Sequence, residues 1–254
     1  MPDRNYNTPV PAGFSTGLIP RDYARHPVGS MAFAPAFPDS ELIPEDEWPA
    51  RLEANRKNKA GLLDLREAHY ETLRSLDQDG LGLCWAFSST KAVMYVRARM
   101  NAAMVRLSAW WVAGKVVGWR DQGYWGSASL AQIVKEGVPA ESYCPSYKSS
   151  YDTPDCRANA ATHKVTEWWD GSNDPTLATK QCVSSLLRGI PCVVDLNDMG
   201  HSMCAIDIGS LSPLEIIYDN SWGEQGEKGL YRGRGARARP DGLVIPRVSL
   251  PSPV

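Results

Sequence analysis

The sequence predicts an α+β fold, and three observations carry that expectation. Helix-like stretches crowd the region from 84 to 137, strand-like stretches crowd the region from 164 to 232, and a proline-rich segment precedes both. With 254 residues, 43% hydrophobic and 22% charged, the chain is long enough to bury a real core as one domain or two small ones. A formal charge of −2 gives no bulk pull toward nucleic acid or an anionic membrane, so partners have to be argued from sites.

Residues 1–44 hold eight prolines, at 2, 9, 11, 20, 27, 35, 38 and 44. Such a segment cannot be a continuous helix and makes a poor central strand, so it should run extended over a surface. A disordered tail is the alternative, but Phe14, Ile19, Tyr23, Met31, Phe33 and Phe37 are too apolar a set for a linker. An ordered arm, packed on its own domain or on a partner, is expected. The residues Met1 to Asn7 lack the apolar core of a secretory signal, and no stretch approaches the ~20 apolar residues of a membrane span. A cytoplasmic protein, or one carried within a phage particle, is the corresponding expectation, with no membrane partner.

From Pro44 to Ala60 the pattern changes to a short amphipathic helix. Pro44 suits its first position, Glu45, Asp46 and Glu47 its positive end, Lys57 and Lys59 its negative end, and Gly61 its stop; Trp48 and Leu52 would face inward. A helix should open at Cys84 and end near Met100-Asn101, a second covers Leu107 to Val112, and a third runs from Ser129 to a closing Gly137. Lys164 to Trp169 alternates like a strand, Pro175 to Leu187 reads as a helix, and strands follow at 191–196, from His201, at 216–218 and at 230–232.

Six cysteines stand at 84, 144, 156, 182, 192 and 204. Setting Cys84 apart leaves an odd number, which argues for reduced thiols rather than a disulfide framework. His26, His69 and His163 have no Cys, His or acidic partner at ligand spacing, so neither a metal site nor a cofactor is predicted. Arg232, Arg234, Arg237 and Arg239 form a basic run whose commoner meaning is a solvated loop rather than a nucleic-acid surface.

Chemistry concentrates in three places. Gln78-Asp79-Gly80-Leu81-Gly82-Leu83-Cys84-Trp85 puts a thiol on the first turn of a helix, where free N–H groups and the helix dipole favour a negative sulfur. The glycines at 80 and 82 let the loop bend so that the Gln78 amide reaches the same sulfur. A lone Cys among aromatics is more often a buried hydrophobe than a nucleophile. What shifts the balance is Gly200-His201, opening an apolar run, and Tyr218-Asp219-Asn220-Ser221-Trp222-Gly223, ending the next strand.

In that order these residues resemble the papain family of cysteine peptidases. Gln78 and Cys84-Trp85-Ala86-Phe87 match the family's active-site Gln and Cys-Trp-Ala-Phe, His201 its catalytic His, and Asn220-Ser221-Trp222-Gly223 its Asn-Ser-Trp-Gly. Leu63-Asp64-Leu65-Arg66 is similar to the start of the mature enzymes, and the resemblance spans about residues 63 to 235. It implies a two-lobed papain-like fold at 63–254, with a helical lobe over about 63–160 and an antiparallel, barrel-like β lobe over about 161–254, behind an extension at 1–62. That extension would be a pro-segment over the cleft or a docking arm toward an assembly partner. Leu81 stands where relatives carry a disulfide cysteine, and Leu83 where they carry a small residue.

The resemblance implies that Cys84 is the nucleophile in a thiolate–imidazolium pair with His201. Asn220 would orient the imidazole, Trp222 would shield that bond, Gln78 would hold the oxyanion, and Gly126 would lie along a peptide or protein substrate. Two other readings stay open: a papain-like domain serving as a structural or docking part of a larger assembly such as a phage particle, and the same thiol chemistry used to transfer the acyl group to an amine or to cleave a non-peptide amide.

Overall fold

The computed structural model describes residues 15–31 and 34–250; Phe14, Phe33 and the prolines at 2, 9 and 11 lie outside them. Behind the first stretch of the arm come helices α1 (Trp48–Asn58), α2 (Leu62–Ala68), α3 (Tyr70–Leu73), α4 (Cys84–Arg99), α5 (Ala109–Val117), α6 (Gly126–Glu136) and α7 (Pro154–Ala160). Strand β1 (Val165–Asp170) and helix α8 (Pro175–Leu187) follow. The chain closes with β2 (Cys192–Leu196), β3 (His201–Leu211), β4 (Leu214–Asp219), β5 (Leu230–Arg234) and β6 (Gly242–Ser249). All neighbouring strands are antiparallel, in one sheet of order β1-β6-β2-β3-β4-β5. Among the described residues no helix is long and apolar enough to cross a membrane.

Local chemistry explains most of the helix limits. Asp174 accepts the N–H of Leu177 at 2.8 Å and Pro175 fills the first helical position, so α8 begins where the sequence predicts. Ser108 caps α5 by accepting the N–H of Trp111, which starts that helix at Ala109 rather than at Leu107. Gly137 ends α6 at φ +89°, and a Cβ there would sit 1.9 Å from the Ala160 carbonyl oxygen. Only glycine fits that turn.

Period-two alternation lets the sheet serve two cores. Val165, Trp168, Val193, Cys204, Ile206 and Val244 join the cluster around α4, while Trp169, Cys192, Val194, Met203, Ala205, Leu243 and Ile245 join the cluster around α8. Helix α4 is buried over all but its last residue, as expected of a helix that is packed on every side. Phe37, Ile43 and Leu52 belong to the α8 cluster, so residues from 37 onward are part of the β lobe's own core.

The two cores are tied by a buried carboxylate at the end of β4. Asp219, 2% exposed, accepts from Ser75 Oγ at 2.6 Å, Tyr95 Oη at 2.7 Å and Arg66 Nε at 3.2 Å, with Lys91 Nζ 3.3 Å away. Arg66 is on α2, Lys91 and Tyr95 on α4. Burial pushes the Lys91 ammonium down to about 8, and the Asp219 charge opposes that shift. Removing one partner of such a cluster leaves buried charge uncompensated, so Asp219→Asn should cost roughly 3–5 kcal/mol in urea unfolding at pH 7.

His163 provides a second test. It is 5% exposed, its Nδ1–H donates to the Val138 carbonyl at 3.0 Å, and burial pushes it down to about 4. Between about 6.5 and 4 the unfolded chain therefore binds a proton that the folded chain does not, and stability must fall as pH falls through that window. His163→Gln should flatten the decline in urea midpoint between pH 7 and pH 4.5.

Candidate active site

Cys84 opens α4 and His201 opens β3, so the site lies where the buried helix meets the central strands. Leu83 gives α4 no side-chain cap, which leaves the first N–H groups of the helix turned to the sulfur's surroundings. Cys84 Sγ accepts the N–H of Ser202, the residue after His201, at 3.4 Å. His201 Nε2–H donates to Asn220 Oδ1 at 2.7 Å, and the same oxygen accepts the Ser221 N–H at 2.7 Å. The other ring nitrogen, Nδ1, is buried without a hydrogen-bond partner among the described residues. Trp222 stacks on the imidazole, with ring centroids 4.7 Å apart and planes inclined by 26°.

Gln78 reaches the same place from the loop before α4. Its Oε1 accepts from Ser221 Oγ at 2.6 Å, which turns Nε2 toward the cleft, where it also donates to the Leu81 carbonyl. There it meets the arm: Gln78 Nε2 donates to the carbonyl oxygens of Ser15 at 3.0 Å and Thr16 at 3.3 Å, and Trp222 Nε1 donates to Ser15 O at 3.2 Å.

The arm then runs along the cleft as an added strand. Gly17 and Leu18 N–H groups donate to the Gly200 carbonyl at 3.2 and 2.9 Å; Tyr124 N–H donates to Gly17 O at 3.0 Å, and Ile19 N–H to Tyr124 O at 2.9 Å. Leu18 thus bridges Tyr124 in parallel sense. Gly17, at φ +129°, passes so close to the Gly82 carbonyl that a Cβ would come within 2.0 Å of its oxygen. The backbone pairing falls on Tyr124, two residues before the Gly126 that the sequence singles out. Gly126 instead starts α6 and donates its N–H to Asp195 Oδ2 at 3.3 Å.

Beyond the cleft the arm is held by charge. Arg21 grips Asp170 through both guanidinium nitrogens, at 2.7 and 2.8 Å, with side-chain exposures of 4% and 0%, and Gly29 N–H adds a third bond to the same carboxylate at 2.8 Å. The run from Arg232 to Arg237 is ion-paired with acids: Arg232 and Arg234 with Glu215, at 3.0 and 2.6 Å, and Arg237 with Asp198 at 3.3 Å. All six cysteines are free and buried, and among the described residues no group of three or more His, Cys, Asp and Glu could hold a metal.

Burial sets the protonation of both groups. Burial pushes the Cys84 thiol up to about 12, against the opposing N–H of Ser202, and pushes His201 down to about 4, against the opposing bond to Asn220. Buried in this way the pair is neutral, a thiol and an imidazole. Breaking the Arg21 grip should rehydrate it. Arg21→Ala is expected to raise the rate of Cys84 alkylation by iodoacetamide at pH 7.5 at least about tenfold while Cys156 stays as slow as before, read by peptide mass mapping.

Asp219, Asp195, Asp170, Tyr124 and the stretch 15–19 are site residues that the sequence reading does not single out. Their partners lie too far along the chain to form a spacing signal, although Gly17 next to an apolar Leu18-Ile19 hints at close backbone contact.

No protein-family model and no curated protein matches the chain. Solved structures do. Xylellain, a cysteine protease from Xylella fastidiosa, superposes with a TM-score of 0.64 over 93% of this chain and 97% of its own, at 14% identity. A digestive procathepsin L 3 from the larval midgut of Tenebrio molitor gives a TM-score of 0.58 at 20% identity, over 69% of this chain and 66% of its own. The protease and lectin-like domains of Cwp84, a surface layer associated protein of Clostridium difficile, give 0.54 at 13% identity, over 71% and 50%. The chain therefore has the fold of the papain-like cysteine proteases.

Proposed function

We propose that the protein is a cysteine peptidase of the papain type whose cleft is closed by its own residues 15–31. The observation that carries this reading is the hydrogen bond of 2.7 Å between His201 and Asn220, which fixes an imidazole, its second nitrogen without a partner among the described residues, on the residue before Ser202, whose N–H reaches the buried Cys84 sulfur.

Once the arm is displaced, water and substrate enter and the desolvation that keeps the pair neutral is relieved. His201 Nδ1 takes the Cys84 proton, and the sulfur attacks the scissile carbonyl carbon. The oxyanion forms where Gln78 Nε2 now holds the Ser15 carbonyl, with the N–H groups at the start of α4 as further donors. The imidazolium gives its proton to the departing amine, leaving an acyl-sulfur bond. Water then attacks that bond, His201 accepts and returns a proton, and the carboxylic acid leaves with the thiol restored. Asn220 fixes the ring throughout, and the Trp222 ring keeps water from their bond.

The same arm supports its own role. Ser15 O sits on the oxyanion donor while the backbone of 17–19 uses the pairing positions of Gly200 and Tyr124, so residues 15–19 take the place a peptide would need. The covered cleft also suits the structural or docking reading, in which the arm never leaves.

Turnover separates them. The Arg21→Ala protein should cleave a diverse peptide library, Cys84→Ala in that background should abolish cleavage, and Gln78→Ala should lower kcat about 10²–10³-fold, the usual loss for one oxyanion donor. A protein with an alkylatable Cys84 that cleaves no peptide would speak for the docking role, or, if it joins acyl groups to added amines, for transfer.

A further inference from the structure

We propose that Asp195 is the floor of a side-chain pocket beside Cys84, and that it selects a lysine or arginine in the peptide that occupies the cleft. This rests on the peptidase reading for its consequence and on separate geometry for its substance.

Asp195 is on β2, opposite Ser202 of β3, the residue whose N–H reaches the Cys84 sulfur. It is 8% exposed; Oδ2 accepts from Gly126 N–H, the Ser202 hydroxyl also favours the charged carboxylate, and Oδ1 is buried with no partner at hydrogen-bond distance among the described residues. An orphaned carboxylate oxygen is expensive to bury and marks a place built for a donor.

The walls around it are glycine. A Cβ on Gly126 would come 3.2 Å from Oδ1, and one on Gly242 would come 3.1 Å from Oδ2. Any other residue at either position would start to roof the carboxylate. What does lie over it comes from the arm: Tyr23 Oη sits 3.4 Å from the point where the Gly242 Cβ would be, and the Arg21 charge acts on Asp195 from its seat on Asp170. Leu18 is threaded between 124–126 and 200–202, the two segments that Asp195 touches through Gly126 and Ser202. The arm thus brings a phenol beside the carboxylate, and among the described residues nothing at hydrogen-bond distance donates to Oδ1.

Charge favours a cation there. Asp241 adds a second negative group, its N–H bonded to the Asp195 carbonyl at 3.0 Å, and burial together with Asp241 pushes the Asp195 carboxyl up to about 6 against the pull of Ser202, Gly126 and Arg21. A guanidinium or ammonium of a peptide that takes the arm's place and reaches Oδ1 would supply the donor it lacks and offset that burial. A neutral chain of the same length would leave Oδ1 unpaired.

The test uses full-length protein opened in two independent ways, by Arg21→Ala or by Gly17→Val, whose side chain cannot pass Gly82. Fluorescent peptides that differ at one residue, arginine or norleucine, scanned along the positions before the scissile bond, are titrated onto each opened form carrying Cys84→Ala. At one position the arginine peptide should bind at least about tenfold tighter, and Asp195→Asn should bring that ratio close to one. The same peptides offered to the Cys84 protein should show the same ratio in kcat/KM. Equal binding of the two peptides at every position, or a ratio that survives Asp195→Asn, overturns the pocket. Selective binding without cleavage by the Cys84 protein would leave the pocket standing and remove the peptidase reading.

Discussion

The carboxylate of Asp219 is the constraint on which the two halves of this molecule depend. It sits at the end of β4, yet its four partners come from α2, the loop after α3, and α4, so one buried charge fixes the strand end against the helical side. The next residue along the chain is Asn220, whose oxygen holds the imidazole of His201. A shift of β4 relative to α4 would carry Asn220 with it and change the angle between ring and sulfur. Hydrophobic packing alone tolerates sliding between elements, whereas a carboxylate with directional bonds to a hydroxyl, a phenol, a guanidinium and an ammonium has only one satisfactory place.

Water exclusion is the second constraint, and it acts on chemistry more than on stability. A thiol and an imidazole become an ion pair only if the pair is better solvated than the neutral couple. The arm lies across Gln78, Tyr124 and Gly200, the last of them next to His201 in the chain, and it does so with backbone groups as much as side chains. Closure therefore demands little of the arm's sequence beyond Gly17, where the Gly82 carbonyl leaves no room for a side chain. Its affinity is set elsewhere, in the buried contact of Arg21 with Asp170.

Much of the helical side, and the choice of Gln78 and Cys84 as candidates, was legible because the responsible signals are local. Gln78 and Cys84 are six residues apart in one loop, Pro175 and Asp174 mark a helix start by their own chemistry, and Gly137 marks a stop. Long-range pairing was not legible in the same way. Nothing in the sequence reading marks β6, which lies between β1 and β2 although it contains Pro246. The proline is tolerated because β2 pairs with β6 only from Gly242 to Val244, leaving Pro246 beyond that ladder, next to a register shift in β1. Asp170, Asp195 and Asp219 were equally silent, since an acid in an apolar strand looks like an outward-facing residue until the partner, here up to 153 positions away, is known.

The N-terminal region divides by the way it is held. From Phe37 onward it contributes Phe37, Ile43 and Leu52 to the apolar cluster around α8, so removing that part would open the β lobe's own core. From Ser15 to Gly29 it is held by main-chain hydrogen bonds along an open cleft, by Leu18, and by the carboxylate of Asp170. On the peptidase reading, main-chain bonds to the cleft would be exchanged for those of a peptide at little net cost, because the same Gly200 and Tyr124 groups would serve either strand. The Asp170 pair cannot be exchanged so freely, since a peptide lacking an arginine at that place would leave a buried carboxylate without its counter-charge. On that reading, a segment that competes on equal terms in the cleft but holds an advantage outside it would stay closed until that outside contact is broken, which would place control of the site at Arg21 rather than at the residues that touch the sulfur.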